Sequence, residues 1–277
     1  MHLRLQDRKL PLDRVVVMGV LNVTPDSFSD GGLWLDPDAA IEHALEMERE
    51  GAGIIDIGGE STRPGADPVA ESEELRRVLP VVEALKGRLT VPISIDTRKP
   101  LVALRAVEAG AEIVNDTNGE ETDWKMAEVA AQANAGFVFM HTRGTSMTMR
   151  SLAHYEDVVA HVRSFLAGAS TELERRGVAR DSIVLDPGFG FAKNPEQSLE
   201  LLRRLDEIVS VGFPVLAGTS RKSFIGAVLD LPEQERVEGT IATIVTAVER
   251  GASIVRVHDV RPVVRAVRMT EAILGRG

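Results

Sequence analysis

The sequence predicts an α/β protein, a single (β/α)8 TIM barrel with a short N-terminal strand or hairpin extension. Three observations carry that expectation. Eight short apolar runs recur along the chain, with amphipathic stretches between them. Nearly every run ends in a polar or charged residue, as barrel strands do where they open into the catalytic face. No shift in composition divides the 277 residues, so one domain fits better than two.

Met1 to Asp13 carries the weak alternation His2-Leu3-Arg4-Leu5-Gln6, which predicts a strand or hairpin capping one end of the fold. Residues 1–14 are assigned to this extension and 15–277 to the barrel. Strands are predicted at Val15–Leu21, Gly53–Ile57, Val91–Ile95, Ile113–Asn115, Phe137–Met140, Ile183–Asp186, Pro214–Gly218 and Ile254–Val257. Between them, patterns such as Leu75, Val78, Leu79, Val82 and Leu85 repeat with helical spacing. Asp36-Pro37 and Asn194-Pro195 each offer an N-cap followed by proline at the first helical position. Glu50-Gly51, Ala109-Gly110, Arg176-Gly177 and Arg250-Gly251 predict helix ends just ahead of the next strand. No Asn-Gly turn joins two alternating strands, which disfavours an antiparallel fold. An open doubly wound sheet is weakened because no G-x-G-x-x-G follows the first strand.

Composition narrows the function. A net charge of −10 and only 4% aromatic residues argue against non-specific nucleic-acid binding and base-stacking surfaces. The chain has no cysteine, which excludes disulfides, thiolate metal sites and cysteine nucleophiles. No apolar run approaches 18 residues and no basic-then-apolar leader follows Met1, so no membrane association and a cytoplasmic location are expected.

The strand ends supply Asn22, Asp56, Asp96, Asn115-Asp116, His141, Asp186, Ser220-Arg221-Lys222 and Arg256-Val-His258. Any one of these could cap a helix or tie a loop. Together they exceed what packing requires. A carboxylate at a barrel mouth costs desolvation energy and needs a partner or a ligand. Asp186 can accept two hydrogen bonds from an amidine-like N–H edge, as in guanidines and pterins. Asn115 offers both a donor and an acceptor, and Lys222 can donate to a ring carbonyl or nitrogen. Arg63, Arg256 and His258 are expected to bring positive charge suited to phosphate oxygens. Asn22 is a neutral oxygen ligand that fits a Mg²⁺ shared with a diphosphate. There is no G-x-S-x-G, no H-E-x-x-H and no Walker loop.

Eight blocks resemble the dihydropteroate synthases, a family of pterin-binding enzymes, in that family's order and spacing. They are Met18–Gly32, Asp56–Gly65, Ser94–Thr97, Asn115-Asp116, Phe139–His141, Asp186–Phe191, Gly218–Gly226 and Val255–Asp259. The resemblance implies condensation of 6-hydroxymethyl-7,8-dihydropterin diphosphate with p-aminobenzoate, giving 7,8-dihydropteroate and diphosphate, with Mg²⁺. It implies a pterin pocket of Asp96, Asn115, Met140, Asp186, Phe191, Gly218 and Lys222. It implies a diphosphate and Mg²⁺ site of Asn22, Arg63, Arg256 and His258, and p-aminobenzoate contacts from Thr62, Pro64 and Ser223. Asp96, Lys222, Arg256 and His258 are the implied catalytic set. One departure is Thr117, where the family usually carries an apolar residue, so the pocket wall is expected to be more polar. The loops Thr24–Leu35 and Ser61–Ala70 are expected to be mobile and to order over the second substrate. A homodimer through helices of the second half is also expected.

Two rival functions share the barrel. A methyltetrahydrofolate-dependent methyltransferase would need no diphosphate ligands, whereas Arg63, Arg256, His258 and the Ser61-Thr-Arg-Pro-Gly65 loop are all present. A non-catalytic pterin-binding paralogue should have lost some of Asn22, Arg63, Asp96 and Lys222, and all four remain.

Overall fold

A computed structural model describes residues 1–24, 37–61 and 65–276. The chain opens with an antiparallel hairpin of β1 (His2–Arg4) and β2 (Lys9–Pro11). Eight parallel strands follow: β3 (Val16–Asn22), β4 (Ile54–Gly58), β5 (Ile93–Thr97), β6 (Ile113–Asp116), β7 (Gly136–Met140), β8 (Ile183–Asp186), β9 (Leu216–Ala217) and β10 (Ile254–Val257). They pair in the order β8-β7-β6-β5-β4-β3-β10-β9. A bridge between Leu185 and Val215, with the Leu185 N–H donating to the Pro214 carbonyl at 2.9 Å, brings the last edge against the first. The ring is thus nearly closed, as the sequence predicts.

Strand β9 is shorter than the expected Pro214–Gly218. Pro214 has no N–H for the ladder, and only Leu216 and Ala217 pair with β10. Elsewhere the strands lie within two residues of their predicted bounds.

Helices α1 (Pro37–Glu50), α2 (Glu71–Leu85), α3 (Pro100–Ala109), α4 (Lys125–Ala133), α5 (Val158–Arg175), α6 (Pro195–Arg203), α7 (Leu205–Val209), α8 (Ser223–Leu229), α9 (Val237–Glu249) and α10 (Val260–Ile273) cover the outside. Asn194 caps α6 in a full capping box with Gln197, as its Asn-Pro signal predicts; Asp36 lies outside the described residues. The predicted glycine stops occur, for example Gly110 with φ +133° after α3. Among the described residues no helix is long and apolar enough to cross a membrane.

The two faces of the strands explain the placement of the site. Val17, Ile55, Val114, Phe137 and Val255 join the core between sheet and helices. Met18, Ile54, Ile113, Val138, Val184, Leu216 and Ile254 form a second core inside the barrel, against Leu3, Leu5 and Leu12 of the N-terminal segment. The hairpin therefore plugs the end where the strands begin. Side chains alternate along a strand, so two positions further on the same inward face carries Asp56, Asn115, Met140, Asp186, Gly218 and Arg256. An apolar floor thus lies directly beneath a polar layer.

Candidate active site

At the centre of that polar layer lies Arg256. Its Nε donates to Asp56 Oδ2 at 2.6 Å and its Nη2 to Asp96 Oδ2 at 2.7 Å. Asn115 Nδ2 adds a bond to the same Asp56 oxygen at 3.1 Å. Three charged groups from β10, β4 and β5 and the β6 amide therefore share one buried cluster. Burial pushes the Asp96 carboxyl up despite the pull of Arg256, with Asp56 and Glu74 acting in the same direction. Asp56 Oδ1 and Asp96 Oδ1 are buried and have no hydrogen-bond partner among the described residues. Buried acceptors left open in this way suit a ligand rich in N–H donors.

Asp186 closes the pocket from β8. Its Oδ1 accepts from the Gly188 N–H at 2.7 Å, and burial raises its pKa to about 6, above the ordinary range. Met140 sits beside it in strand register and is buried. Gly218 provides the opening opposite: a Cβ there would lie 4.0 Å from Asp186 Oδ2 and 3.9 Å from the Arg256 Cβ. The Lys222 ammonium lies 3.9 Å from the centre of the Phe191 ring, a cation–π contact that orients both. The structure thus gathers Asp96, Asn115, Met140, Asp186, Gly218, Arg256, Phe191 and Lys222 at one end of the barrel.

His258 corrects one expectation. It was expected to carry positive charge, but burial and the nearby Arg256, Arg221 and Lys222 lower its pKa to about 3. It is neutral at physiological pH. The Ser220 hydroxyl accepts the His258 backbone N–H at 3.2 Å and lies 3.0 Å from Nδ1, which fixes the ring orientation. A neutral imidazole carries one ring N–H, so His258 can still act as a donor. Arg221 holds the same loop to the end of β10 through a paired contact with Asp259, at 2.9 and 2.6 Å.

At the rim, Asn22 ends β3 beside Gly58 and Ser223 is exposed at the start of α8. Thr62, Arg63 and Pro64 lie outside the described residues, as does most of the predicted loop 24–35. Of the other predicted loop, Gly65 donates to the Ser146 carbonyl at 2.9 Å, and the Ser146 hydroxyl donates to the Ala66 carbonyl at 2.9 Å. A cleft lined by Ser61, Arg98, Thr117, Thr142, Ser146 and Phe191 lies beneath. The Thr117 hydroxyl is buried there with no hydrogen-bond partner among the described residues.

Glu120, His141 and His161 bring one carboxylate and two imidazoles within 4.8 Å of one another. Arg143 already occupies this cluster, donating to Glu120 at 3.0 Å and to His161 Nδ1 at 3.2 Å. A nitrogen-rich, cation-filled cluster does not suit Mg²⁺, which prefers oxygen ligands. Sequence reasoning assigned no role to Asp56, Ser220 or Lys193. Asp56 was visible as a polar strand end, but its grip on Arg256 is set by strands 200 positions apart.

Residues 18–258 match the model of the pterin binding enzyme family. A dihydropteroate synthase of Bacillus subtilis is 49% identical over 265 residues, covering 96% of this chain and 90% of that protein. The chain belongs to the dihydropteroate synthase family. Among solved structures, the Xanthomonas albilineans dihydropteroate synthase with 4-aminobenzoic acid superposes with a TM-score of 0.92 at 42% identity, covering 99% of each chain. That of Thermus thermophilus in complex with 6HMPPP gives 0.86 at 44% identity, covering 99% of this chain and 100% of that one. The family's members are transferases of a pterinylmethyl group.

Proposed function

We propose that the polar layer binds 6-hydroxymethyl-7,8-dihydropterin diphosphate and condenses it with p-aminobenzoate to 7,8-dihydropteroate and diphosphate, in folate biosynthesis. The observation that carries this assignment of residues is the set of buried, open carboxylate oxygens around Arg256. Asp186 accepts the amino and ring N–H edge of the pterin, Asn115 meets the alternating edge beside it, and Lys222 donates to the ring oxygen or nitrogen. Met140 and Phe191 wall the ring.

The chemistry needs no protein nucleophile. The bond from the exocyclic methylene carbon to the diphosphate oxygen breaks, and its electron pair leaves with diphosphate. The positive charge left on that carbon spreads into the electron-rich pterin ring. The arylamine nitrogen then bonds to the carbon and loses a proton. Asp96 offsets the ring charge, and Arg256 and the His258 N–H stabilise the departing diphosphate. Arg63 joins them in this reading, with Thr62, Pro64 and Ser223 as contacts for p-aminobenzoate. The neutral amide of Asn22 at the strand end fits a Mg²⁺ that takes its remaining oxygens from diphosphate and water, and such an ion would supply charge neutralisation.

A homodimer through second-half helices is part of this reading, supported by the exposed Val228 and Leu229 of α8. A cytoplasmic location is supported by the substrate, whose diphosphate does not cross a lipid bilayer unaided. The test of the reaction is product analysis. Wild-type protein with both substrates and Mg²⁺ yields dihydropteroate, and Asp186→Asn loses most of that yield. A variant as active as wild type would remove Asp186 from the pocket.

A further inference from the structure

Lys193 is a buried lysine that the reaction does not use, and its surroundings are specific. Its Nζ donates to His141 Nδ1 at 2.9 Å, the Phe191 carbonyl at 2.9 Å and the Gly188 carbonyl at 3.0 Å. An ammonium has three N–H donors, and these three close acceptors take them, with the His141 carbonyl a longer fourth contact at 3.4 Å. Among the described residues no carboxylate oxygen shares its hydrogen bonds. Lys99, by contrast, is bonded to Glu60 and Glu74. The Asp186 and Glu120 charges favour the ammonium from a distance, but burying it without a bonded carboxylate is still costly, and an apolar side chain of similar volume would fill the space more cheaply.

What the three bonds join explains the cost. Gly188 has φ +69°, and a Cβ there would lie 2.0 Å from the His141 carbonyl oxygen, so the loop after β8 runs hard against the end of β7. Within that loop the Phe191 N–H donates to the Gly188 carbonyl at 3.1 Å. Gly188 in turn holds Asp186 Oδ1 through its own N–H, and the Phe191 ring lies against Lys222. On the other side, His141 accepts from Lys193 at Nδ1, so its Nε2 carries the proton and faces Glu120 Oε1 at 3.4 Å. Arg143 and His161 hold that same carboxylate.

We propose that Lys193 is a positioning residue for the pterin pocket, its ammonium fastening the end of β7 to the two carbonyls of the loop after β8 and so setting Asp186, Phe191 and Lys222 for the ligand. The proposal rests on the assignment of Asp186 and Lys222 to pterin. Lys193 touches no substrate and acts through Gly188 and Phe191. Burial lowers its pKa to about 7, against the pull of the Asp186 and Glu120 carboxylates.

Steady-state kinetics of Lys193→Met beside Asp186→Asn test the proposal. Loss of the ammonium raises KM for the dihydropterin diphosphate by about tenfold to a hundredfold, by analogy with the loss of a residue that orients a metal ligand. KM for p-aminobenzoate stays within about twofold. An unchanged pterin KM with a lowered Tm makes Lys193 a purely structural residue and overturns the proposal. So does an equal rise in both KM values. If Asp186→Asn leaves pterin affinity intact, the pocket assignment fails instead. Should Lys193→Met not fold, ¹⁵N spectra of the histidines in wild-type protein decide. His141 with an unprotonated Nδ1 and a protonated Nε2 supports the fastening, and the opposite tautomer overturns it.

Discussion

Arg256 and Asp96 share a hydrogen bond of 2.7 Å although 160 positions separate them in the chain, and the same guanidinium reaches Asp56 at 2.6 Å. The arginine assigned to the leaving diphosphate is therefore oriented by the carboxylate assigned to the pterin ring. Charge that leaves with diphosphate and charge that appears on the ring are met by groups already in contact. Such an arrangement needs little rearrangement as the bond breaks.

Asp56 tests this coupling, because it holds Arg256 and Asn115 without reaching the rim. Asp56→Asn keeps the shape and removes the charge. We expect kcat/KM to fall about tenfold to a hundredfold, chiefly through kcat, since a misaligned supporting partner has effects of that order. Steady-state rates with both substrates provide the check. An unchanged kcat would separate Asp56 from catalysis.

Thr117 should affect stability and binding in opposite directions. Its hydroxyl is buried without a partner among the described residues, a situation costing about 1–3 kcal/mol. Thr117→Val removes that cost from the free protein, so Tm rises. If the bound pterin supplies the missing partner, the same change weakens pterin affinity by about threefold to tenfold. Calorimetric titration beside a melting curve reads both. Affinity equal to wild type would place the hydroxyl away from the ligand.

Asp186 should give a pH signature. Its pKa is raised from 3.8 to about 6 by burial, so the folded protein binds this proton more tightly than the unfolded chain. The resulting stabilisation is complete below about pH 4 and is lost as pH rises through about 6. Pterin affinity moves the other way over the same window, because the ionised carboxylate is the better acceptor. Melting and binding measured from about pH 4 to about 7 should show both trends, and Asp186→Asn should flatten each of them.

The hairpin plug is a stability element. Leu5 is 1% exposed and packs inside the barrel with Met18, Ile113 and Val138. Leu5→Ala should cost about 2–5 kcal/mol, as for other buried leucines, and leave both KM values unchanged. Denaturant unfolding measures the first and kinetics the second. A loss below about 1 kcal/mol would mean the hairpin is dispensable.

Much of this was legible in the sequence because barrel strands are buried on both faces and stand out as apolar runs. Ile183–Asp186 and Ile254–Val257 match their predicted bounds, and the polar residue at each strand end marked the site. Strand β9 shrank because Pro214 cannot donate. What the chain order hides is spatial company. His258 was expected to be charged, but its neighbours Arg221 and Lys222 come from the loop after β9 and Arg256 from its own strand, and burial adds to their effect. Lys193 lies two residues past a recognisable block, yet its partner His141 is 52 positions earlier. Nothing in the spacing of either residue announces the contact.

The most direct test of the central claim is diphosphate release from 6-hydroxymethyl-7,8-dihydropterin diphosphate with Mg²⁺, measured with and without p-aminobenzoate. Release should depend on p-aminobenzoate for turnover, match dihydropteroate mole for mole and be lost in Lys222→Ala. No release from protein that binds the pterin tightly would contradict the claim and leave a pterin-binding barrel with a different reaction.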